Sequence, residues 1–447
     1  MLSKTRIAAT LSLALTIGFA SSAQGQNSAP LSFSHYKLKN GLEVILSEDF
    51  AFPVVSVAVA YHAGSIHEPA GKTGLAYLME DLMFRGSLNV PPHQHNNYIW
   101  RRGGELNASA SEDKTLFYQT VPSNQLGLVL WLESDRMKSL ELTDRVFEDA
   151  RNSLLEDLPL RRLTVPYYDS FLSFDQLLFF DFARGHSLLG TEDDVRNLTL
   201  DDVKNFYGTY YVPNNAVLCV AGSFDKQRAR DLIARYFETI PSRGNDLNPA
   251  LQPPPAPPKK QQIVRTLEDN LASAPAFHLG FRLSPPSSDE FYALSLIDYI
   301  LFRGRSSRLA RRLENIRSPL LSPASGGIEV RGNQAVYKIF ATVNTLAMAE
   351  QCQSAIFSEL DKLKIAYMPE SELTRFKNLL KKDYLWRISS TRERAIFLAE
   401  SYLTMDHFDD LPLELQRFMS ITPVEIVTLL NRYFKTENSL IVNVRTK

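Results

Sequence analysis

The sequence predicts an α+β fold made of two homologous domains, each a mainly antiparallel sheet with helices packed on one face. Three observations support this prediction. Strand patterns precede helix patterns in both halves of the 447-residue chain, a proline-rich segment separates the halves, and matched residues recur at one constant separation. A duplicated unit of strands and helices explains all three observations.

The matched residues lie 223 positions apart, and they are the pairs Thr199 and Thr422, Tyr210 and Tyr433, and Asn215 and Asn438. Each threonine has a carboxylate three residues later, which predicts a capping box and the start of a helix. Each tyrosine falls near the end of that helix, and each asparagine precedes an apolar strand pattern. A separation that stays constant across a helix, a turn and a strand indicates duplication.

The first 25 residues are expected to be a cleaved signal peptide. Lys4 and Arg6 precede an apolar run that ends in small residues, and this run is short for a membrane span. The mature chain would then be periplasmic or secreted. No later segment holds about 18 uninterrupted apolar residues, so we expect no membrane span.

The rest of the chain divides into an N-terminal domain over 32–245, a proline-rich linker over 246–260 and a C-terminal domain over 261–447. The linker sequence is typical of a semi-rigid polyproline spacer. In the first domain, Asn40-Gly41 predicts a hairpin turn, and a second strand follows over 54–62. In the second domain, the predicted elements are strands over 261–266 and 276–283 and a helix over 289–302.

Charge and cysteine content exclude several classes of function. The chain has 49 basic and 50 acidic residues with both signs interspersed, so no partner such as nucleic acid or an anionic membrane is indicated. Neighbouring arginines such as Arg161-Arg162 and Arg311-Arg312 are typical of solvated faces.

Cys219 and Cys352 fall in different predicted domains, so we expect buried free thiols.

The segment from Gly74 to Gly86 is similar to the H-x-x-E-H helix of inverted zinc peptidases. Histidines four residues apart lie on one helix face and hold Zn²⁺, while the glutamate activates the metal-bound water. Here Tyr77 and Asp81 stand in the histidine positions, and Glu80 stands in the general-base position. A base without a metal-bound water has little to act on, so Glu80 is expected to be idle.

Further motifs resemble the pitrilysin/insulinase family, in particular its short processing-peptidase-like members. The matching residues are Leu38-Lys39-Asn40-Gly41-Leu42, Gly64-Ser65, Glu68-Pro69, Gly71 to Ala76, Phe84-Arg85-Gly86-Ser87, Gly103-Gly104, Asn107-Ala108, Asp113, Thr115 and Tyr118. The resemblance implies a metallohydrolase fold of the processing-peptidase type, whose two fused domains pair with a second subunit around a chamber. It also implies that an extended peptide adds as a strand beside Asn107, Ala108 and Ser109.

The same resemblance implies two further sets of altered positions. The family's third zinc ligand, a glutamate on a later helix, falls on Asp157 with Glu156 beside it, and Pro159 is expected to kink that helix. The arginine and tyrosine that hold substrate in the second domain fall on Glu314 and Leu321. We therefore expect no cofactor, with zinc expected only if unusual ligands serve.

Each of these sites has a plainer alternative. The oxygen atoms of Tyr77, Glu80 and Asp81, together with Asp157 or Glu156, are ligands that would suit Ca²⁺ or Mg²⁺. The favoured alternative is a hydrogen-bonded polar cluster without metal. Two histidine pairs could also provide metal ligands but are more typical of loop or strand-end positions, namely His93 with His95 and His62 with His67. The aromatic residues over 167–182 are more typical of helix packing than of a chamber lining.

The leading hypothesis is a proteolytically inactive peptidase homologue that acts as the non-catalytic partner subunit of an active zinc peptidase paralogue. The first alternative is an active metalloendopeptidase with nonstandard metal ligands. The second is a stand-alone protein that binds extended peptides. Zinc content separates the first alternative from the leading hypothesis, and molecular size together with peptide binding separates the second.

Overall fold

Two β-sheets organise the chain, one in each half. The computed structural model describes residues 31–243, 261–285, 289–314, 320–405 and 407–446, which belong to one compact unit. The predicted signal peptide (1–25) and the predicted linker (246–260) lie outside the described residues. Within the described ranges, no helix is long and apolar enough to cross a bilayer.

Sheet 1 belongs to the first half and has the strand order β1-β2-β6-β3-β5-β4. Its strands are β1 Ser34–Lys37, β2 Glu43–Glu48, β3 Val54–Tyr61, β4 Glu105–Ala110, β5 Thr115–Pro122 and β6 Ala216–Gly222. The helices of this half are α1 Leu75–Leu82, α2 Gln94–Trp100, α3 Leu126–Ser139, α4 Asp144–Thr164, α5 Tyr168–Phe179, α6 Phe182–Gly185, α7 Glu192–Arg196, α8 Leu200–Tyr210 and α9 Lys226–Phe237. The predicted hairpin at Asn40-Gly41 is confirmed, since β1 pairs antiparallel with β2 and Gly41 has a φ of 88°.

Sheet 2 belongs to the second half and has the strand order β7-β11-β8-β10-β9. Its strands are β7 Ile263–Asp269, β8 Ala276–Arg282, β9 Ser325–Arg331, β10 Gln334–Thr342 and β11 Ser439–Thr446. The helices are α10 Glu290–Phe302, α11 Arg308–Glu314, α12 Leu346–Ile365, α13 Glu370–Ser389, α14 Thr391–Thr404, α15 Glu414–Ser420 and α16 Pro423–Tyr433.

The two sheets confirm the predicted duplication. In sheet 1 the five neighbouring strands β2-β6-β3-β5-β4 pair in the same way as β7-β11-β8-β10-β9 in sheet 2. In each series one parallel pair is followed by three antiparallel pairs. Thr199 and Thr422 each form a capping box. Asn215 and Asn438 each donate from Nδ2 to the carbonyl of the tyrosine five residues earlier, at 2.8 and 2.7 Å.

Each sheet packs its own helices on one face, as predicted, and receives a helix from the other half on its second face. Strand residues such as Val57 face the helices of their own half, whereas Ala58 and Cys219 pack with Leu398 of α14. In the same way, Val442 of sheet 2 packs with Phe174 of α5. The halves therefore exchange one helix each, which the sequence patterns did not predict.

This exchange explains the aromatic segment over 167–182. Tyr167, Phe174 and Phe179 are buried against sheet 2, so the predicted packing role is confirmed for them. Phe171 and Phe182 remain partly exposed. Cys219 and Cys352 are buried free thiols, as expected.

Candidate functional site

A cavity of about 490 Å³ lies between α1 and α4 in the first half. Its lining includes Tyr77, Glu80, Asp81, Asp157 and Arg161. The first four were predicted to lie together, and the structure brings them together on two helices that are far apart in the chain. The fifth, Arg161, was not predicted to belong to the site.

A buried carboxylate fixes the amino end of α1. Glu68 accepts hydrogen bonds from the backbone N–H groups of Gly74 at 3.0 Å and Ala76 at 2.7 Å. His186 Nε2 lies 3.0 Å from the same carboxylate. Burial raises the pKa of Glu68. Burial alone would lower the pKa of His186, but the hydrogen bond to Glu68 outweighs it, so the pKa of His186 is raised. Neither side chain was predicted to have this role.

Glu80 is bonded to the neighbouring strand β4. Its Oε2 accepts a hydrogen bond from the backbone N–H of Ala110 at 2.6 Å. Burial raises the pKa of Glu80, the bond from Ala110 opposes the shift, and Asp81 adds to it. The residue at the general-base position therefore has a structural partner within the chain.

Arg161 supplies the positive charge of the cavity. Its Nε donates to Asp157 Oδ2 at 2.6 Å, and its Nη2 donates to the Tyr77 phenol oxygen at 3.5 Å. Burial raises the pKa of Tyr77, with Arg161 opposing the shift, so the phenol is protonated at neutral pH. The guanidinium thus bridges two of the three positions expected to be degenerate metal ligands.

The expectation of a solvated face fits Arg162 and holds only in part for Arg161, whose side chain is more than a third exposed but also lines the cavity. Arg162 is exposed and pairs with the exposed Asp169 at 3.1 Å. Asp157 and Arg161 lie four residues apart on α4, the spacing at which opposite charges meet on a helix, so their pairing was detectable in the sequence.

The remaining predicted ligand positions lie at the edge of the cavity or outside it. Asp81 is exposed and accepts a hydrogen bond from Arg85 Nε at 2.7 Å. Glu156, the alternative to Asp157, is exposed and does not line the cavity. The helix α4 continues through Pro159 as far as Thr164.

The side chains present do not fit a zinc site. Zinc requires deprotonated ligands in a tetrahedral arrangement, whereas here the phenol is protonated and both carboxylates are bound by arginines. The positive charge of Arg161 also opposes the approach of a divalent cation to Asp157 and Tyr77. Across the described residues, no group of three or more His, Cys, Asp and Glu side chains is placed to hold a metal ion.

Strand β4, which carries Asn107, Ala108 and Ser109, is the outer strand of sheet 1. Ser111 N donates to Lys114 O at 2.8 Å, which makes Ser111 and Lys114 a hydrogen-bonded pair. Because such pairs alternate along an antiparallel ladder, the odd-numbered residues of β4 bond to β5, and the even-numbered residues direct their N–H groups to the open edge. Two of these edge groups are already bonded: Ala108 N to Asn107 Oδ1 at 2.8 Å, and Ala110 N to Glu80. The edge expected to receive an extended peptide is therefore partly capped by the protein's own side chains.

Glu314 and Leu321 are both exposed. Glu314 ends α11, and Leu321 follows residues 315–319, which lie outside the described ranges. Neither residue lines the cavity between α1 and α4. Their assignment to the family's arginine and tyrosine positions stays a prediction.

The four candidate histidines do not line this cavity either. His93 is exposed whereas His95 is buried against Phe84, so the expected exposed loop is wrong for His95, which lies in helix α2. His62 and His67 contact each other with ring centroids 5.1 Å apart. Burial lowers the pKa of His67 to about 3.

Comparison with known proteins identifies the architecture around this cavity. Residues 43–159 match the family model "Insulinase (Peptidase family M16)", and residues 197–380 match "Peptidase M16 inactive domain". The chain is an insulinase-family peptidase homologue. The matched segments contain α1, α4 as far as Pro159, and most of the second half, whereas Arg161 lies just beyond the first segment.

This insulinase-family homologue is 27% identical over 435 residues to a Helicobacter pylori protein named "Zinc protease PqqE", covering 97% of each chain. A solved protease structure from Helicobacter pylori matches with a TM-score of 0.85 and 26% identity, over 93% of this chain and 100% of that one. The periplasmic protease PqqL from Escherichia coli shares the fold, with a TM-score of 0.75 and 17% identity, over 94% of this chain and 48% of that one.

Proposed function

We propose that this chain is a proteolytically inactive member of the insulinase family that acts as the non-catalytic partner subunit of an active zinc peptidase paralogue. The observation that carries the proposal is the contact of Arg161 with Asp157 and Tyr77. A guanidinium at these positions provides positive charge, but it holds no water for Glu80 to activate. The active paralogue would supply the metal and the reacting water.

The match to about half of a longer protein supports a heterodimer. The fold fills 48% of PqqL, so an assembly of that size accommodates this chain and a second chain of similar length. The periplasmic source of PqqL and the predicted signal peptide together support a periplasmic or secreted location. In this assembly the homologue would supply part of a chamber wall, and the edge of β4 would contact peptide only after its caps are displaced.

The name of the Helicobacter pylori relative favours keeping one alternative, an active metalloendopeptidase with nonstandard ligands. Metal analysis and a protease assay on the purified chain decide between the two. We expect less than stoichiometric zinc at neutral pH and no cleavage of unfolded casein by the chain alone. Cleavage that a chelator abolishes would contradict the proposal.

Purification from the native host tests the partner role separately. We expect a companion chain with an intact H-x-x-E-H motif to elute with the homologue, and zinc to be found on that companion. A monomer that binds extended peptides without a companion would instead support the stand-alone peptide-binding alternative.

A further inference from the structure

A second cavity, of about 660 Å³, lies in the other half of the protein, between α11 and the start of α13. Its lining combines four arginines with two glutamates and two serines, namely Arg308, Arg311, Arg312, Arg375, Glu359, Glu372, Ser306 and Ser371. None of these residues was assigned a function by the sequence or by the proposed peptidase role. The cavity therefore needs its own explanation.

Both carboxylates of the cavity are already neutralised. Arg308 binds Glu372 through two hydrogen bonds, at 2.8 and 2.6 Å, and Arg375 approaches the same carboxylate at 3.5 Å. Glu359, which is largely buried, lies 3.7 Å from Arg308 and 3.2 Å from Lys362. These pairs also hold the Arg308 guanidinium in one orientation.

Arg311 and Arg312 are the surplus charges. Both are exposed residues of α11 that line the cavity, and within the part of the chain that the structure describes neither guanidinium group has a hydrogen-bond or ion-pair partner. The earlier interpretation as a solvated face explains their exposure. It does not explain why unpaired guanidinium groups line a concave surface together with the serines and the fixed Arg308.

We propose that this cavity binds a compact oxyanion of the phosphate type that carries at least two negative charges. Guanidinium forks match phosphate oxygens, and the three free oxygens of a phosphoryl group accept bonds from several donors at once. A single carboxylate has only two oxygens, and one fork satisfies it.

Titration calorimetry with pyrophosphate on the chain without its predicted signal peptide tests this site. The proposal does not depend on the partner role. We expect one pyrophosphate per chain and at least tenfold weaker binding to the double variant Arg311→Gln/Arg312→Gln, a loss of about 1.4 kcal/mol. The matched control is Arg101→Gln/Arg102→Gln, another exposed pair of adjacent arginines, which should bind like the unmodified protein. Thermal unfolding of each variant checks that the fold is intact.

The proposal would be overturned by no binding of pyrophosphate at millimolar concentration, by equal binding by the double variant, or by an equal loss in the control pair. Citrate provides a comparison of similar charge with carboxylate groups only. Tighter binding of citrate than of pyrophosphate would also overturn the assignment and would indicate an acidic peptide as the ligand.

Discussion

Arg161 shows how one side chain changes the character of a site. It joins Asp157 and Tyr77, which belong to two different helices, so it stabilises the packing of α1 against α4 as well as balancing charge. Both members of the Arg161–Asp157 pair are more than a third exposed, so solvent screens their interaction. Its contribution to stability is therefore modest.

The first prediction concerns this pair. Arg161→Gln should lower the free energy of unfolding by about 0.5–1 kcal/mol, because it removes an ion pair and a contact with Tyr77. Arg162→Gln is the matched control and should change it by close to zero, since its pair with Asp169 is well exposed. Urea unfolding of both variants provides the measurement, and equal losses would show that the cavity contact has no special weight.

A second prediction concerns Glu80. Replacing it by alanine frees the N–H group of Ala110 at the open edge of β4, so Glu80→Ala should bind extended peptides more tightly than the unmodified protein. Fluorescence anisotropy with labelled, unfolded casein measures the change. Asp81→Ala is the control, because Asp81 bonds to Arg85 and not to the strand. A variant that binds no better than this control would rule out the capping role.

The candidate site could be predicted in part from the sequence. Helix periodicity and the family motif placed Tyr77, Glu80 and Asp81 together, and the spacing to the third ligand located Asp157. The role of Arg161 was missed because it depends on the distance between two helices that no local pattern determines. The contact between Glu80 and Ala110 was missed for the same reason, since it joins a helix to a strand later in the chain.

The two halves repeat the same capping arrangement at the start of one helix each. Thr199 and Thr422 each accept a hydrogen bond from the backbone N–H three residues later, while the carboxylate at that position bonds back to the threonine. These residues were predicted as capping boxes, because the pattern is local and needs no tertiary contact.

The third prediction is that Thr199→Ala and Thr422→Ala each lower the free energy of unfolding by about 1 kcal/mol. Thr428→Ala is the control, because Thr428 lies inside α16 and its hydroxyl donates to the carbonyl of Val424 instead of accepting from a backbone N–H group at the helix start. Chemical denaturation of the three variants provides the comparison. A loss at Thr428 as large as at Thr422 would mean that capping is not the cause.

Several contacts join the two halves, in which side chains of one half bond to the backbone and to charged side chains of the other. Asp113, in the turn after β4, accepts a hydrogen bond from Gly332 N, between β9 and β10. Nearby, Arg331 pairs with Asp175 of α5 at 2.5 Å and with Glu112 at 3.2 Å. These contacts join the two halves beside the exchanged helix α5.

The fourth prediction follows from Asp113, whose pKa is raised to about 6, chiefly by burial. Between about pH 4 and 6 the folded protein binds this proton more tightly than the unfolded chain, so the free energy of unfolding falls as pH rises through that range. Asp113→Asn keeps an oxygen acceptor for Gly332 and removes the titration. Relative to the unmodified protein, this variant should gain about 1–2 kcal/mol between pH 4 and pH 7.

Urea unfolding at several pH values measures the difference, and the exposed Asp193→Asn serves as the control. If the stability curves of Asp113→Asn and the unmodified protein run parallel across this range, Asp113 does not titrate as expected. The control should follow the unmodified protein throughout.

The fold as a whole was more predictable than the contacts between its halves. The constant separation of Thr199 and Thr422 indicated the duplication, and the Asn40-Gly41 turn indicated a hairpin, because both signals are carried by short segments. The exchange of α5 and α14 was not predictable, since the apolar face of a helix does not specify which sheet it covers.

The exchanged helices also impose an order of events on a ribosome. Sheet 1 is fully synthesised once Gly222 has been added, yet α14, which covers its second face, begins only at Thr391. At about 5–20 residues per second, roughly 10–30 s pass before α14 is synthesised, and during this time the second face of sheet 1 exposes apolar side chains to water. Nascent chains that stop before α14 should consequently aggregate or be retained by a chaperone.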